Sequence, residues 1–316
     1  MKRIILTGSL GQIGSELALF LADKYGQENV LVTDLAKETI PALSHLAYKQ
    51  LDVTDYANFL ACAKEFKADT VMHLAAILSA RGETMPQKTW QVNMQGLVNA
   101  LEVARELKAQ IFCPSSIGAF GPSTPHDNTP QDTLQRPETM YGVTKVSGEL
   151  LCDYYHKRFG VDARGVRFPG LISWKTLPGQ GTTDYAVHIY YGAIENKTYT
   201  SYIKAGTYMD MMYLPDALQA IVDLMEAPSD KLQHRNAFNV SAMSIEPEMV
   251  AASIKKFIPE FTIKYEVDPI RQAIADSWPN SLDISAAQKE WNFHAEYDLD
   301  KMTEDMLANL KVKLAK

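Results

Sequence analysis

The chain has 316 residues, 46% of them apolar, and a formal net charge of −7. That length allows one large or two modest domains with a sizeable core, and an acidic balance without a basic run argues against nucleic acid or an anionic membrane as partner. Its apolar runs fall far short of the ~20 residues that span a bilayer, and the first strand starts directly after Met1-Lys2-Arg3, so we expect a cytoplasmic protein without a leader.

In chain order, Ile4-Ile5-Leu6 reads as a strand. Gly8, Gly11 and Gly14 follow at intervals of three, and Ile13, Leu17, Phe20 and Leu21 at helical spacing. This is the order a phosphate needs. Glycines let the turn bend and let the main chain approach closely, while Gln12 and Ile13 open a helix whose first N–H groups are unpaired. The spacing G-x-x-G-x-x-G is one residue longer in its first gap than the familiar dinucleotide fingerprint. Asn29 to Thr33 is the next strand, and Asp34 closes it about twenty residues beyond Gly14, where a carboxylate accepts both adenosine ribose hydroxyls and repels a 2′-phosphate. NAD is favoured over NADP.

Leu46 to Leu51 reads as a third strand running into Asp52-Val53. Asp52 either approaches the adenine edge or caps the helix from Asp55 to Phe66. Thr70 to Leu74 is a fourth strand, and Ala75-Ala76 behind Leu74 leave room for a flat cofactor. Ser79 and Arg81 lie in the loop beyond, before a helical stretch from about Pro86 to Leu107 that contains Asn93. A fifth strand, Gln110 to Cys113, opens into Pro114-Ser115-Ser116. The proline-rich stretch Gly118 to Pro137 is a long loop of the kind that usually carries function. A helix then starts at Tyr141 and continues through Tyr155, and Asp162 to Phe168 forms a sixth strand.

Beyond Pro169-Gly170 a polar trio, Thr182-Thr183-Asp184, precedes a helix through Glu195. Met211 to Ala227, with Pro215 near a helix start, is expected to return to the sheet. Glu246 to Phe257 and Leu299 to Leu314 read as helices of a smaller lobe, with short strands near Phe238 and Ile263. Repeated strand-helix alternation implies an α/β fold: a doubly wound, mostly parallel Rossmann sheet with a smaller, partly discontinuous α+β substrate lobe. Residues 1–170 and about 212–240 fall to the nucleotide domain, and 171–211 and about 241–316 to the substrate lobe. The three cysteines are far apart and form no C-x-x-C pair, and the histidines show no ligand spacing. Reduced thiols and no metal are expected.

Tyr141 and Lys145, four residues apart, share a helix face about 6 Å apart along the axis. A phenol ordinarily titrates near ~10, and a neighbouring ammonium favours its anion, so the pair can serve as a general base near neutral pH. Ser116 would hold the substrate oxygen beside the phenol. Such a pair is common on solvated helices; its weight comes from sharing one sheet edge with the glycine turn, Asp34 and Ser116.

Together, Thr7 to Gly14, Ser116, Tyr141 and Lys145 resemble the extended short-chain dehydrogenase/reductase family, which includes nucleotide-sugar epimerases. Pro114 to Pro122, Arg167-Phe168-Pro169-Gly170, Gly181 to Ala186 and Met211 to Ala217 are similar to its L-threonine 3-dehydrogenase branch. The resemblance implies metal-independent oxidation of the L-threonine 3-hydroxyl to 2-amino-3-oxobutyrate with NAD, Tyr141 as base, and carboxylate contacts at Ser79 and Thr182 to Asp184. It implies a homodimer pairing the helices near 94–107 and 141–158, and a proton-relay water at Asn93, unless Asn93 simply bonds backbone. The local chemistry agrees, because a small zwitterion needs an anion for its ammonium, as Asp184 provides, and donors for its carboxylate, as Ser79, Thr182 and Thr183 provide. Trp278 is either a wall of that site or a core residue. Sugar-nucleotide enzymes of the family carry an Arg-Asp pair where this chain has Met209-Asp210, which leaves Arg235 or Arg271 to meet a diphosphate. A non-catalytic NAD-sensing module, a third possibility, has no need for Ser116, Tyr141 and Lys145 together.

Overall fold

A computed structural model of the chain describes residues 1–176 and 181–315. Ile4–Thr7 lies at the centre of a six-stranded sheet, paired in parallel with Val30–Asp34 on one side and Thr70–His73 on the other. Ala47–Gln50 extends the first side, and Gln110–Phe112 and Ala163–Arg164 the second, all in parallel. Numbered within this sheet, the strand order is 3-2-1-4-5-6, so chain direction across it reverses beside Ile4–Thr7. At that reversal the two neighbouring crossovers leave on opposite faces, and a crevice opens beyond the strand ends.

Both faces are covered, which is why the strands read as nearly continuous apolar runs. Alternate residues go to opposite sides: Ile4, Leu6, Val30, Val32 and Met72 join one core, and Ile5, Leu31 and Val71 the other. The first core is closed by helices Gln12–Tyr25 and Leu214–Glu226, the second by Tyr56–Phe66, Gly96–Leu107 and Met140–Phe159.

Several elements depart from expectation. The sixth strand divides into Ala163–Arg164, paired with Gln110–Phe112, and Val166–Phe168, paired with Ser115–Ser116; between them Gly165 passes so close to the Cys113 carbonyl that a side chain would stand 2.1 Å from its oxygen. Val166–Phe168 then pairs with Ser115–Ser116 and with Phe238–Asn239, so the strand near Phe238 belongs beside the nucleotide sheet and not to the smaller lobe. Ser79 and Arg81 are helical, in Ser79–Thr84, and the stretch after Pro86 is interrupted by a π-helical segment at Gln91–Gln95 that carries Asn93.

The second lobe has its own core, which includes Ile172, Tyr190, Met211, Ile254 and Met306. Met209–Tyr213 runs there between Gly170–Ile172 and Met243–Ile245, and Thr198–Ser201 pairs with Thr262–Tyr265. Met209–Tyr213 thus joins a small sheet of its own. Only the following helix, started by Pro215 in its first turn, returns to pack beside Gln12–Tyr25. Among the described residues no helix is long and apolar enough to cross a membrane.

Candidate active site

A cavity of about 790 Å³ runs along the ends of the sheet strands, and every candidate residue except Asn93 and the two arginines Arg235 and Arg271 lines it. At one end lies the glycine turn. Gly8 has φ +68°, and a side chain there would stand 2.6 Å from the Ala75 nitrogen; at Gly14 it would stand 2.1 Å from the Gly8 carbonyl oxygen. Protein packing therefore demands both glycines. Gly11 differs: the nearest atom to an added Cβ is the Gly8 oxygen at 3.4 Å, and the residue borders the cavity.

Gly11 precedes helix Gln12–Tyr25 and gives it no side-chain cap, so the first N–H groups are left for a ligand. The buried Gln12 Nε2 has no hydrogen-bond partner among the described residues. An open cradle at Gly11, an uncapped helix start and an orphan donor together fit a dinucleotide pyrophosphate. Asp34 accepts from the Leu10 N–H (3.0 Å) and the Leu35 N–H (2.8 Å), which fixes its carboxylate at the rim while leaving lone pairs for ribose hydroxyls. Asp52 and Val53 lie on the same wall, and Leu74, Ala75 and Ala76 form the floor. The helix cap is Asp55, which accepts from the Asn58 N–H, and not Asp52. Asp52 instead accepts from the Thr54 N–H and hydroxyl (2.9 and 2.7 Å), bonds that hold its carboxyl below the usual range.

Ser116, Tyr141 and Lys145 meet in the middle of the cavity. The Gly118 N–H donates to Ser116 Oγ (3.1 Å), and a side chain on Gly118 would stand 3.3 Å from the Tyr141 ring and 3.5 Å from Ser116 Oγ. Serine and tyrosine therefore face one small volume. Thr139 caps the tyrosine helix by accepting from the Gly142 N–H (3.0 Å), and Lys145 donates to the Pro114 carbonyl (2.7 Å) with its ammonium 5.3 Å from the Tyr141 ring centroid. One turn beyond Lys145, the buried Glu149 receives two hydrogen bonds from Arg167 (3.0 and 2.8 Å), one from Gln135 (2.9 Å) and one from Ser115. This network ties the tyrosine helix to the strand that carries Ser116.

Ser79 and the turn Thr182–Asp184 close the far end, where Thr182 and Asp184 are buried and Asp184 accepts from the Gly181 N–H. Trp278 borders the cavity and packs with Ile117, Phe120 and Leu282, outside the core of the second lobe. Asn93 stands apart. Its amide accepts from the Ile77 N–H (2.8 Å) and donates to the Ile77 carbonyl and Thr144 (both 3.1 Å), and it borders a separate chamber of about 40 Å³, large enough for a water.

Lys88 and Met85, which the sequence did not single out, border the cavity beside Arg81. The only cue to Lys88 was its place just after Pro86. Neither Arg235 nor Arg271 reaches the cavity. Arg235 pairs with Asp162 (2.8 Å), and Arg271 lies over Tyr202 (4.4 Å). Asp210 is buried against Ser241 and the Leu282 N–H, and burial pushes its carboxyl up to about 7.

A crevice at the switch point, a glycine turn for pyrophosphate and a serine, tyrosine and lysine at one sheet edge define a short-chain type of oxidoreductase. The chain belongs to the NAD-dependent epimerase/dehydratase family, whose model matches residues 4–241, and its cofactor is NAD. An uncharacterized epimerase/dehydratase of Staphylococcus saprophyticus is 57% identical over 314 residues, covering 99% of this chain and 98% of that protein. The X-ray structure of L-threonine dehydrogenase from Clostridium difficile superposes with a TM-score of 0.97 at 63% identity, covering 99% and 98% of the two chains. A GalE-like L-threonine dehydrogenase from Cupriavidus necator, in its holo form, gives a TM-score of 0.95 at 47% identity over 98% and 99%.

Proposed function

We propose that the chain oxidises the 3-hydroxyl of L-threonine to 2-amino-3-oxobutyrate. The observation that carries this reading is the buried Thr182–Asp184 turn, which borders the same cavity as Ser116 and Tyr141. Its carboxylate suits an ammonium, and the hydroxyls of Thr182, Thr183 and Ser79 suit a carboxylate, so the cavity end matches an α-amino acid in size and charge. The likeness to L-threonine dehydrogenases supports the same choice.

Gly8 to Gly14 and Asp34 would hold the NAD pyrophosphate and ribose, with Asp52, Val53 and Leu74 to Ala76 around the rest, and the bound cofactor would supply a hydride acceptor for the alcohol carbon. Ser116 donates to the substrate oxygen and orients it, Tyr141 takes the hydroxyl proton, and Lys145 supplies positive charge beside the phenol. Asn93 fixes the backbone at Ile77 and lies beside the chamber through which a water can exchange the proton.

The division into a nucleotide domain of 1–170 and about 212–240 and a substrate lobe from the remainder is part of the proposal. So is a homodimer: Val143, Leu150 and Tyr154 form an exposed apolar stripe on the tyrosine helix, and light scattering that finds a monomer at micromolar concentration removes it. The substrate is tested by following NADH formation with L-threonine, D-threonine, L-allo-threonine, L-serine and UDP-glucose. L-threonine is expected to be used best. Turnover confined to UDP-glucose, or absent with every compound, overturns the reading.

A further inference from the structure

Two thiols lie behind the site without a part in the chemistry above. Cys113 follows strand Gln110–Phe112, its N–H held by the Arg164 carbonyl (2.8 Å), and the next residue, Pro114, accepts the Lys145 ammonium. Cys152 lies about two turns beyond Lys145 on the same helix. The two side chains are neighbours, and both border the 40 Å³ chamber. That chamber has Leu74, Ala75, Ala76, Pro114, Ser115 and Lys145 in common with the main cavity, so only these residues separate it from the nucleotide side. Cys113 is partly accessible and Cys152 buried, and neither is in a disulfide.

We propose that Cys113 and Cys152 are a reversible oxidation site, closed to a disulfide by a peroxide that enters through the nucleotide cavity when NAD is not bound. Cys113, partly accessible where Cys152 is buried, meets the oxidant first, and the neighbouring Cys113 and burial push the Cys152 thiol up. Its thiolate attacks one peroxide oxygen: the S–O bond forms, the O–O bond breaks, and the leaving hydroxide takes the thiol proton as water. Cys152 sulfur then attacks the sulfenic sulfur, the S–S bond forms, the S–O bond breaks, and a second water leaves with the Cys152 proton. Two thiols and one hydrogen peroxide become one disulfide and two waters.

A disulfide, about 2.05 Å between sulfurs, would tie the helix covalently to the strand end. The tie lies beside the Pro114 carbonyl that holds Lys145 and the adjacent Ser115-Ser116. Misplacement of about 1 Å at reacting groups costs on the order of 10²-fold in rate.

The test treats the NAD-free protein with hydrogen peroxide and counts thiols after denaturation. The expected result is a fall from the three thiols of the sequence to one, with a peptide map joining the 113 and 152 peptides. Dithiothreitol restores the count, saturating NAD slows the loss, and Cys113→Ser and Cys152→Ala each abolish the joined peptide. Three thiols surviving peroxide, or a bond mapped to Cys62 or between chains, overturns the proposal. The thiol count and peptide map do not depend on the substrate, so failure of the threonine reading leaves this test standing. If the protein does reduce NAD with threonine, that rate should fall at least about tenfold on oxidation and recover on reduction.

Discussion

The two ends of the cavity are built in opposite ways. At the nucleotide end, one continuous stretch from Ile4 to Asp34 supplies strand, turn, helix and carboxylate, and the turn is locked by contacts between near neighbours such as Gly14 and Gly8. At the end proposed for the substrate, Ser79, the Thr182–Asp184 turn and Trp278 come from three distant segments that meet only in the folded chain. The first arrangement is intrinsic to a βαβ unit. The second depends on tertiary packing, and it is the end where relatives of one fold can differ in what they oxidise.

Mutation at the junction of the two ends should have the largest effect. Tyr141→Phe removes one hydroxyl from the middle of the cavity; turnover is expected to fall by about 10³-fold while NAD affinity, measured by calorimetry, stays within about threefold. Turnover within tenfold of the parent excludes Tyr141 as the base. Next comes the substrate end itself. Asp184→Asn should lower kcat/KM for L-threonine by about 10²-fold, because a buried ammonium loses its counter-charge, with NAD affinity again held. An equal loss in NAD affinity would show instead that the turn supports the whole cavity.

The contrast also explains what was legible in the sequence. Gly8, Gly14, Asp34 and the Tyr141–Lys145 spacing are signals within a strand or a helical turn, and each of these residues borders the cavity. Signals that depend on pairing between distant segments were read less well. Asp162 to Phe168 looks like one strand, but its two halves pair with different segments, Gln110–Phe112 and Ser115–Ser116. Phe238–Asn239 is too short to reveal its sheet, which is chosen by Val166–Phe168 beside it. Met209–Tyr213 is apolar enough for either sheet, and pairing with Gly170–Ile172 decides. Ser79–Thr84 carries a glycine within six residues and so reads as loop; its Gly82 packs against Thr89 of the next helix, a contact no local pattern encodes.

Within the nucleotide end, the glycines separate packing from ligand approach. Gly11→Ala meets only the Gly8 oxygen at 3.4 Å, so its melting temperature should stay within about 2 °C of the parent while its NAD dissociation constant rises about tenfold, the added methyl standing where the pyrophosphate approaches. Gly8→Ala should instead lose stability as well, since φ +68° and the Ala75 nitrogen at 2.6 Å both oppose a side chain. Equal behaviour of the two variants would remove the distinction.

The smallest effect is expected at Asp52, whose two sequence readings the structure divides. Its carboxylate is engaged by Thr54, which makes it part of the turn before the Asp55 cap as well as a cavity wall. Asp52→Ala should therefore change NAD affinity by about threefold or less and lower stability at neutral pH by under ~1 kcal/mol, since the group is exposed and solvent screens it. The Thr54 bonds hold the folded carboxyl below its ordinary 3.8, so the folded chain binds that proton less readily than the unfolded one. The contribution is then complete above that ordinary value and disappears as pH falls through the lower folded one. Denaturant melts of the parent and Asp52→Ala should differ at pH 7 and converge in acid; a gap that persists unchanged in acid would assign the loss to packing of the side chain and not to its charge.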